Sequence, residues 1–179
     1  MRVLAYCLMT NHVHFIARPG TRGFVAVLFG RSYGRYSQAL NIRRGRCGHL
    51  WQARFHSCAM SPAHVEAGLR YVGANPCRAG MVEHPEQYRW SSAAPHLLGE
   101  KDRSGVLDLG DWERAGGVET WAELHAKAEN SSEIIELRKC TYGGRPFGDA
   151  EFIEEMEQRF QRKWSRGSKN VGISKIRIK

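Results

Sequence analysis

The chain opens on two short, densely apolar runs, Arg2 to Met9 and His12 to Arg18, joined by Thr10-Asn11 and closed by Pro19-Gly20. Runs of this length bounded by turn residues predict two strands, and so short a connection predicts a hairpin. From about Arg22 to Arg44 the period changes: Phe24, Val27, Leu28, Tyr33, Tyr36 and Leu40 recur at helical spacing, with Gly30 and Gly34 either weakening the helix or marking close packing. Leu50 to Ala59 reads as a third strand. Ser61-Pro62 predicts a helix start, Ser as N-cap and Pro at the first helical position. That helix runs to about Asn75, since a residue before proline is pushed out of the α region, and Val65, Leu69 and Val72 make its buried stripe. Further on, Ser91 to Leu98 reads as a short helix and Glu100 to Gly110 as a charged connection that ends the core. Thr120 to Lys127 and Ser132 to Lys139 read as small helices, and Asp149 caps a clearer one with Phe152, Ile153, Met156 and Phe160 on one face. Trp164 to Lys179 is basic with little periodicity and reads as a tail.

Composition narrows the class. With 179 residues, 42% of them hydrophobic, the chain suits one compact domain, or one domain with a short appendage. The longest apolar runs, Val3 to Met9 and Phe24 to Phe29, have seven and six residues, against about 20 for a bilayer span. Polar residues also interrupt the first dozen positions, which argues against a secretory peptide and for a cytoplasmic protein. The five cysteines are spread out with no C-x-x-C pair, so neither a disulfide framework nor a zinc ribbon is indicated.

Charge changes the picture more. The net charge is +9, and residues 1–60 hold nine Arg, no Lys and no acid, the first acid being Glu66. An acid-free, arginine-rich stretch that also carries Tyr6, Phe15, Tyr33, Tyr36, Trp51 and Phe55 suits a phosphate backbone with unstacked bases. The plain alternative is a set of solvated arginines.

Two features could carry chemistry. His12-Val13-His14 in a strand would aim both imidazoles from one face while Val13 packs behind, and two neighbouring imidazoles are half of a divalent-metal site. As a bare pattern it also fits two ordinary histidines. Tyr71 and Asn75 share a helical stripe about a hundred degrees from the Val65, Leu69, Val72 face. His64 and Gly68 fall along that stripe, and Gly68 would let a backbone or a phosphate come close. Tyr71 is then a candidate nucleophile or simply a half-buried tyrosine that packs.

Four ordered blocks give a family resemblance: Tyr6-Cys-Leu-Met-Thr-Asn-His-Val-His14, Gly48-His-Leu-Trp-Gln-Ala-Arg-Phe-His-Ser57, Tyr71-Val-Gly-Ala-Asn-Pro-Cys-Arg-Ala-Gly-Met-Val82 and Tyr88-Arg-Trp-Ser-Ser92. Together they resemble the REP-associated tyrosine transposases, single-tyrosine enzymes of the His-hydrophobic-His (HUH) group. Gly143-Gly-Arg-Pro-Phe-Gly148 and the helix after it look like that family's C-terminal segment. The resemblance implies an α+β fold, a small antiparallel sheet with helices packed on it (a ferredoxin-like HUH nuclease core) over residues 1–100. A helical C-terminal segment over 101–163 and a basic tail over 164–179 follow.

The resemblance also implies that His12, His14 and Asn75 hold Mg2+ or Mn2+ and that Tyr71 forms a 5′-phosphotyrosine with single-stranded DNA folded into palindromic hairpins. Arg43, Arg44, Arg46, Trp51 and Arg54 are the candidates for gripping that DNA, and the enzyme would associate with the nucleoid. Trp51 equally suits a core position. The family usually has a strand and a helix before the strand that begins here at Arg2, so the expected core is N-terminally truncated. An unpaired edge beside the His-bearing strand would then invite pairing with a second copy, a homodimer. The competing reading is a catalytically silent DNA-binding remnant of such a transposase.

Overall fold

The computed structural model describes residues 1–21, 23–53, 55–114, 116–119 and 132–164. Strands β1 (Arg2–Leu8) and β2 (Val13–Arg18) form an antiparallel hairpin in the register Leu8↔Val13, Cys7↔His14, Tyr6↔Phe15 and Ala5↔Ile16, with an irregularity between Val3 and Ala5. The turn is closed by Met9 N–H on the His12 carbonyl, 2.9 Å. Seven helices follow: α1 (Phe24–Arg44), α2 (Val65–Gly73), α3 (Asn75–Arg78), α4 (Ala93–Leu98), α5 (Gly110–Arg114), α6 (Ser132–Gly143) and α7 (Ala150–Phe160), counted among the described residues. The chain is thus α+β, with a two-stranded antiparallel sheet. No helix among the described residues is long and apolar enough to cross a membrane.

The sheet has two unlike faces. Ala5, Cys7 and Ile16 pack against Val72 of α2, with Leu69 and Met60 closing the cluster. Helix α2 buries its opposite side as well, placing Ala67 against Ile134, Leu137 and Cys140 of α6 and against Phe147. Burial on both sides explains why Arg70, only 7% exposed, needs its ion pair with Glu133 at 2.9 Å. Tyr71 and Met60 touch both clusters and join them.

On the other face Phe15 meets Phe29 of α1, ring centroids 5.2 Å apart. Helix α1 buries no residue fully, and its apolar side is covered instead by Trp51 and Phe55 from the following segment. It ends at Gly45, whose φ of 58° lets the N–H groups of Gly45 and Arg46 turn back onto the Ile42 and Asn41 carbonyls. A Cβ at Gly30 or Gly34 would meet nothing within 4 Å, so close packing does not explain either glycine.

The outer edge of β1 is occupied without a full strand. Leu8 N–H bonds the Trp90 carbonyl, Ser92 N–H bonds the Tyr6 carbonyl, both at 2.9 Å, and Asp108 N–H bonds the Val3 carbonyl at 2.8 Å. Across the hairpin Arg2 stands opposite Arg18, a like-charge pair that repels unless neutralised. Asp108 accepts Arg2 at 2.5 Å and Asp111 accepts Arg18 at 2.6 Å, so the acids missing from residues 1–60 arrive from the connection after α4. That connection, read from the pattern as the end of the core, is bonded to the sheet edge.

Three local expectations need correction. No strand forms among the described residues of Leu50 to Ala59, whose backbone pairing comes at the end, where Phe147 N–H bonds the Ala59 carbonyl and Ser61 N–H the Phe147 carbonyl. Ser61 caps no helix through its hydroxyl, which pairs instead with His64 Nδ1 at 2.7 Å, and a 3-10 turn over Pro62–His64 precedes α2. Nor does helical backbone stop at Pro76. The chain breaks after Gly73 and begins a new turn, α3, with Pro76 in a first-turn position where its missing N–H costs nothing. The predicted helix over Thr120–Lys127 and all but Trp164 of the tail lie outside the described residues.

Asp102 ties the connection to β1, accepting from the Tyr6 hydroxyl at 2.7 Å and from the Ser104 hydroxyl and Leu107 N–H. Burial pushes its carboxyl up, but the donors from Ser104, Tyr6 and Leu107 outweigh that and hold it at about 2, below the free value of 3.8. The unfolded chain therefore takes up the proton first. This contribution to stability is complete above the free value and is lost as pH falls through about 2. Asp102→Asn is expected to lower the urea midpoint at neutral pH, with the gap to the parent chain closing in acid. A gap independent of pH would show that the carboxylate charge is not what anchors the connection.

Candidate active site

His14 lies in β2 and His12 one residue before it, and the alternation of strand side chains brings their rings together. The centroids are 4.7 Å apart and the planes nearly perpendicular. His12 Nδ1 is 2.6 Å from the Asn11 side-chain oxygen. That oxygen can only accept, so Nδ1 carries the proton and Nε2 keeps its lone pair. His14 Nε2 is buried with no hydrogen-bond partner. Burial, the neighbouring His12 and the charge of Arg78 hold the His14 imidazole down at about 3, and burial alone lowers His12. Both rings are neutral near pH 7, the form that binds metals.

Tyr71 comes from α2 and meets His14 edge to face, centroids 5.6 Å apart. Its carbonyl lies at the break between α2 and α3, where the backbone ladder gives it up. Two side chains take it instead: Asn75 Nδ2 and Arg78 Nη2 each donate to the Tyr71 oxygen at 2.9 Å. The Arg78 guanidinium also lies over the phenol ring, 4.6 Å from its centroid. Burial and nearby Tyr142 push the phenol above its usual value of 10, whereas the positive charges of Arg78 and of Arg138 on α6 pull it back.

The structure therefore brings together His12, His14 and Tyr71. Asn75, four residues after Tyr71, spends an amide N–H on the helix break. Among the described residues no group of three His, Cys, Asp or Glu side chains could hold a metal ion. The two imidazoles fit a divalent ion all the same: one nitrogen is orphaned and buried, and the other ring is oriented through Asn11.

The DNA-gripping candidates lie elsewhere. Phe15, which leads to α1, projects from the sheet face opposite His14. Arg43 and Arg44 end α1, roughly 20 Å along its axis from Phe29, and Arg46 follows the cap. All three are exposed. Trp51 stacks on Tyr33 at 4.2 Å and donates Nε1 to the Tyr33 carbonyl at 3.2 Å, so one of its faces is already used. Arg54 lies outside the described residues.

Arg78, Arg138 and Tyr142 were not anticipated. Arg78 stands at i+7 from Tyr71 and would have shared its stripe had helical backbone been carried past Pro76. Arg138 is brought in by the packing of α6 on α2, for which the local sequence holds no signal. Comparison of the chain with protein-family models, with curated proteins and with solved structures finds no match.

Gly68 sets the distance between these elements. A Cβ there would come within 2.9 Å of the Met60 sulfur and 3.0 Å of Ile16 Cδ1, so the close approach serves α2 against β2 and the space expected for a phosphate is filled by side chains. Gly68→Ala gains about 1 kcal/mol of helix propensity and loses about 1–3 kcal/mol to overpacking. Net destabilisation is expected in urea unfolding, with the His14 and Tyr71 ring signals displaced. A stabilised Gly68→Ala would show that α2 is not pressed onto the hairpin.

Proposed function

We propose that the chain is a single-strand DNA endonuclease and rejoining enzyme of the tyrosine transposase kind, acting on palindromic hairpins through Tyr71. The observation that carries this reading is the convergence of His14 and Tyr71, remote in sequence, into one run of ring contacts with His12. In this reading the hairpin and α2 are part of a ferredoxin-like HUH nuclease core, and the protein acts at the nucleoid. His12 and His14 would hold Mg2+ or Mn2+, with Asn75 supplying a neutral oxygen once its amide turns. Such an ion, when bound, orients a non-bridging phosphate oxygen and neutralises charge developing on the phosphoryl group.

The remaining work falls to the chain's own residues. The Tyr71 hydroxyl oxygen attacks phosphorus, the bond from phosphorus to the 3′ oxygen breaks, and the phenol proton ends on the leaving 3′ oxygen. A 5′-phosphotyrosine and a free 3′ hydroxyl result, and the same hydroxyl can reverse the step because the ester is conserved. The phenol is protonated before attack, since burial raises it, and Arg78 and Arg138 ease its ionisation. Arg43, Arg44, Arg46 and Arg54 supply phosphate contacts, and the open edge of Trp51 with the exposed Tyr36 offers a stacking platform. One observation favours the silent DNA-binding remnant: the His pair has no third His, Cys, Asp or Glu ligand among the described residues.

Incubation with 5′- and 3′-labelled single-stranded hairpins and Mn2+ or Mg2+ separates the two readings. The active enzyme is expected to retain the 3′ label as a covalent adduct on a denaturing gel and to release the 5′ label as a shorter strand. Tyr71→Phe should abolish both. A folded protein that binds the hairpin and forms no adduct would leave the DNA-binding remnant.

A further inference from the structure

A tight turn at Arg89 and Trp90 is held firmly against β1 and yet keeps both its side chains outside. Ser91 N–H closes it on the Tyr88 carbonyl at 3.2 Å, and the Ser91 hydroxyl donates to the same oxygen at 3.0 Å. Leu8 N–H takes the Trp90 carbonyl at 2.9 Å, the Tyr88 hydroxyl donates to the Leu8 carbonyl at 2.8 Å, and Ser92 is bonded to Tyr6 through both its N–H and its hydroxyl. Trp90 is nevertheless 52% exposed, and the exposed Arg89 guanidinium lies over its ring, 4.5 Å from the centroid. Among the described residues no carboxylate pairs with Arg89 and no second ring meets Trp90. A cation–π contact at an exposed site is weak, so the face of a base can take the guanidinium's place on the indole. Arg89 reaches that face from solvent, so the face opens to solvent when the guanidinium turns away. Leu8 pairs with Val13, the residue between His12 and His14. From the Trp90 backbone across β1 to β2 is therefore two strand spacings, roughly 10 Å. About three stacked nucleotides cover that distance, and fewer once unstacked.

We propose that Arg89 and Trp90 clamp one unpaired nucleotide of single-stranded DNA close to the phosphate that Tyr71 attacks, the base stacking on the indole and the guanidinium turning to the nucleotide's own phosphate. Only the place of that nucleotide along the strand depends on reading Tyr71 as the nucleophile. The ligand is unpaired because a base stacked within a duplex has no free face to offer the indole, and any base serves because each has a π face. The bonds to Tyr6 and Leu8 hold the turn in place before DNA arrives, so little ordering cost falls on binding. Two regions then share the DNA. The α1 arginines hold the strand by charge, and the turn at Trp90 requires that the flank next to the site be unpaired.

The clamp can be tested without turnover. Two labelled DNA hairpins of one stem, one with unpaired flanks and one blunt, are titrated with the full chain in the absence of divalent metal, and binding is read by fluorescence anisotropy. Trp90→Ala is expected to weaken binding of the flanked hairpin about tenfold and to leave the blunt one unchanged. Trp90→Phe keeps a ring and should retain most of the affinity. Arg89→Gln should reduce the salt slope for the flanked hairpin by about 0.7, the share of one single-strand phosphate. Parental affinity for the flanked hairpin in Trp90→Ala, or equal weakening of both hairpins, would overturn the clamp and leave a surface cation–π pair. So would a parent chain that binds the two hairpins alike, or neither. Adduct formation through Tyr71 with Trp90→Ala binding unchanged would leave the nucleophile and sink the clamp. Conversely, a tenfold loss in Trp90→Ala, in a protein that forms no adduct, would sink the nucleophile and leave the clamp.

Discussion

Helix α2 rests on the hairpin at Gly68, where the missing Cβ lets Ile16 and the Met60 thioether lie directly against the helix backbone. That contact decides the geometry of the site. Ile16 and His14 are two residues apart on one strand face, and Gly68 and Tyr71 three apart on the helix, so fixing the first of each pair fixes the second. The same helix is gripped from behind by α6 through Ala67, Ile134 and Leu137. Tyr71 is thus held between two clusters, and its ring cannot move far from His14 without opening one of them.

The second constraint is the break after Gly73. A continuous helix would satisfy the Tyr71 carbonyl from backbone alone and leave Asn75 and Arg78 with nothing to bind there. Because Pro76 restarts the turn, both side chains come back onto that oxygen. Arg78 thereby reaches the phenol ring, and its charge helps keep His14 neutral. A helical irregularity of a few residues therefore links the tyrosine, the histidine pair and a guanidinium.

Much of this was legible in the chain. The density and length of the apolar runs located β1 and β2 to within a residue or two, and helical spacing located α1, α6 and α7, with Asp149 accepting from Phe152 N–H as a cap should. The same-face placement of His12 and His14 followed from strand alternation. Their meeting with Tyr71 did not follow from periodicity, since it depends on where a helix docks. Leu50 to Ala59 has the composition of a strand, yet its described residues join neither strand of the sheet, so composition alone does not decide sheet membership. The acid-free start misled in part: Arg2 and Arg18 meet acids supplied from residues 108 and 111, while the arginines of α1 stay exposed.

The central claim is that His12, His14 and Tyr71 make one site able to hold a divalent ion. Sub-stoichiometric Mn2+, added to the full chain while the histidine and tyrosine ring signals are followed by NMR, tests it most directly, because a paramagnetic ion broadens the nuclei nearest to it. The account predicts that the His12 and His14 imidazole signals broaden first and the Tyr71 ring next, with those of His49 and His84 unaffected. Broadening confined to the acidic connection around Asp102, Asp108 and Asp111, with the His12 and His14 signals sharp, would contradict it.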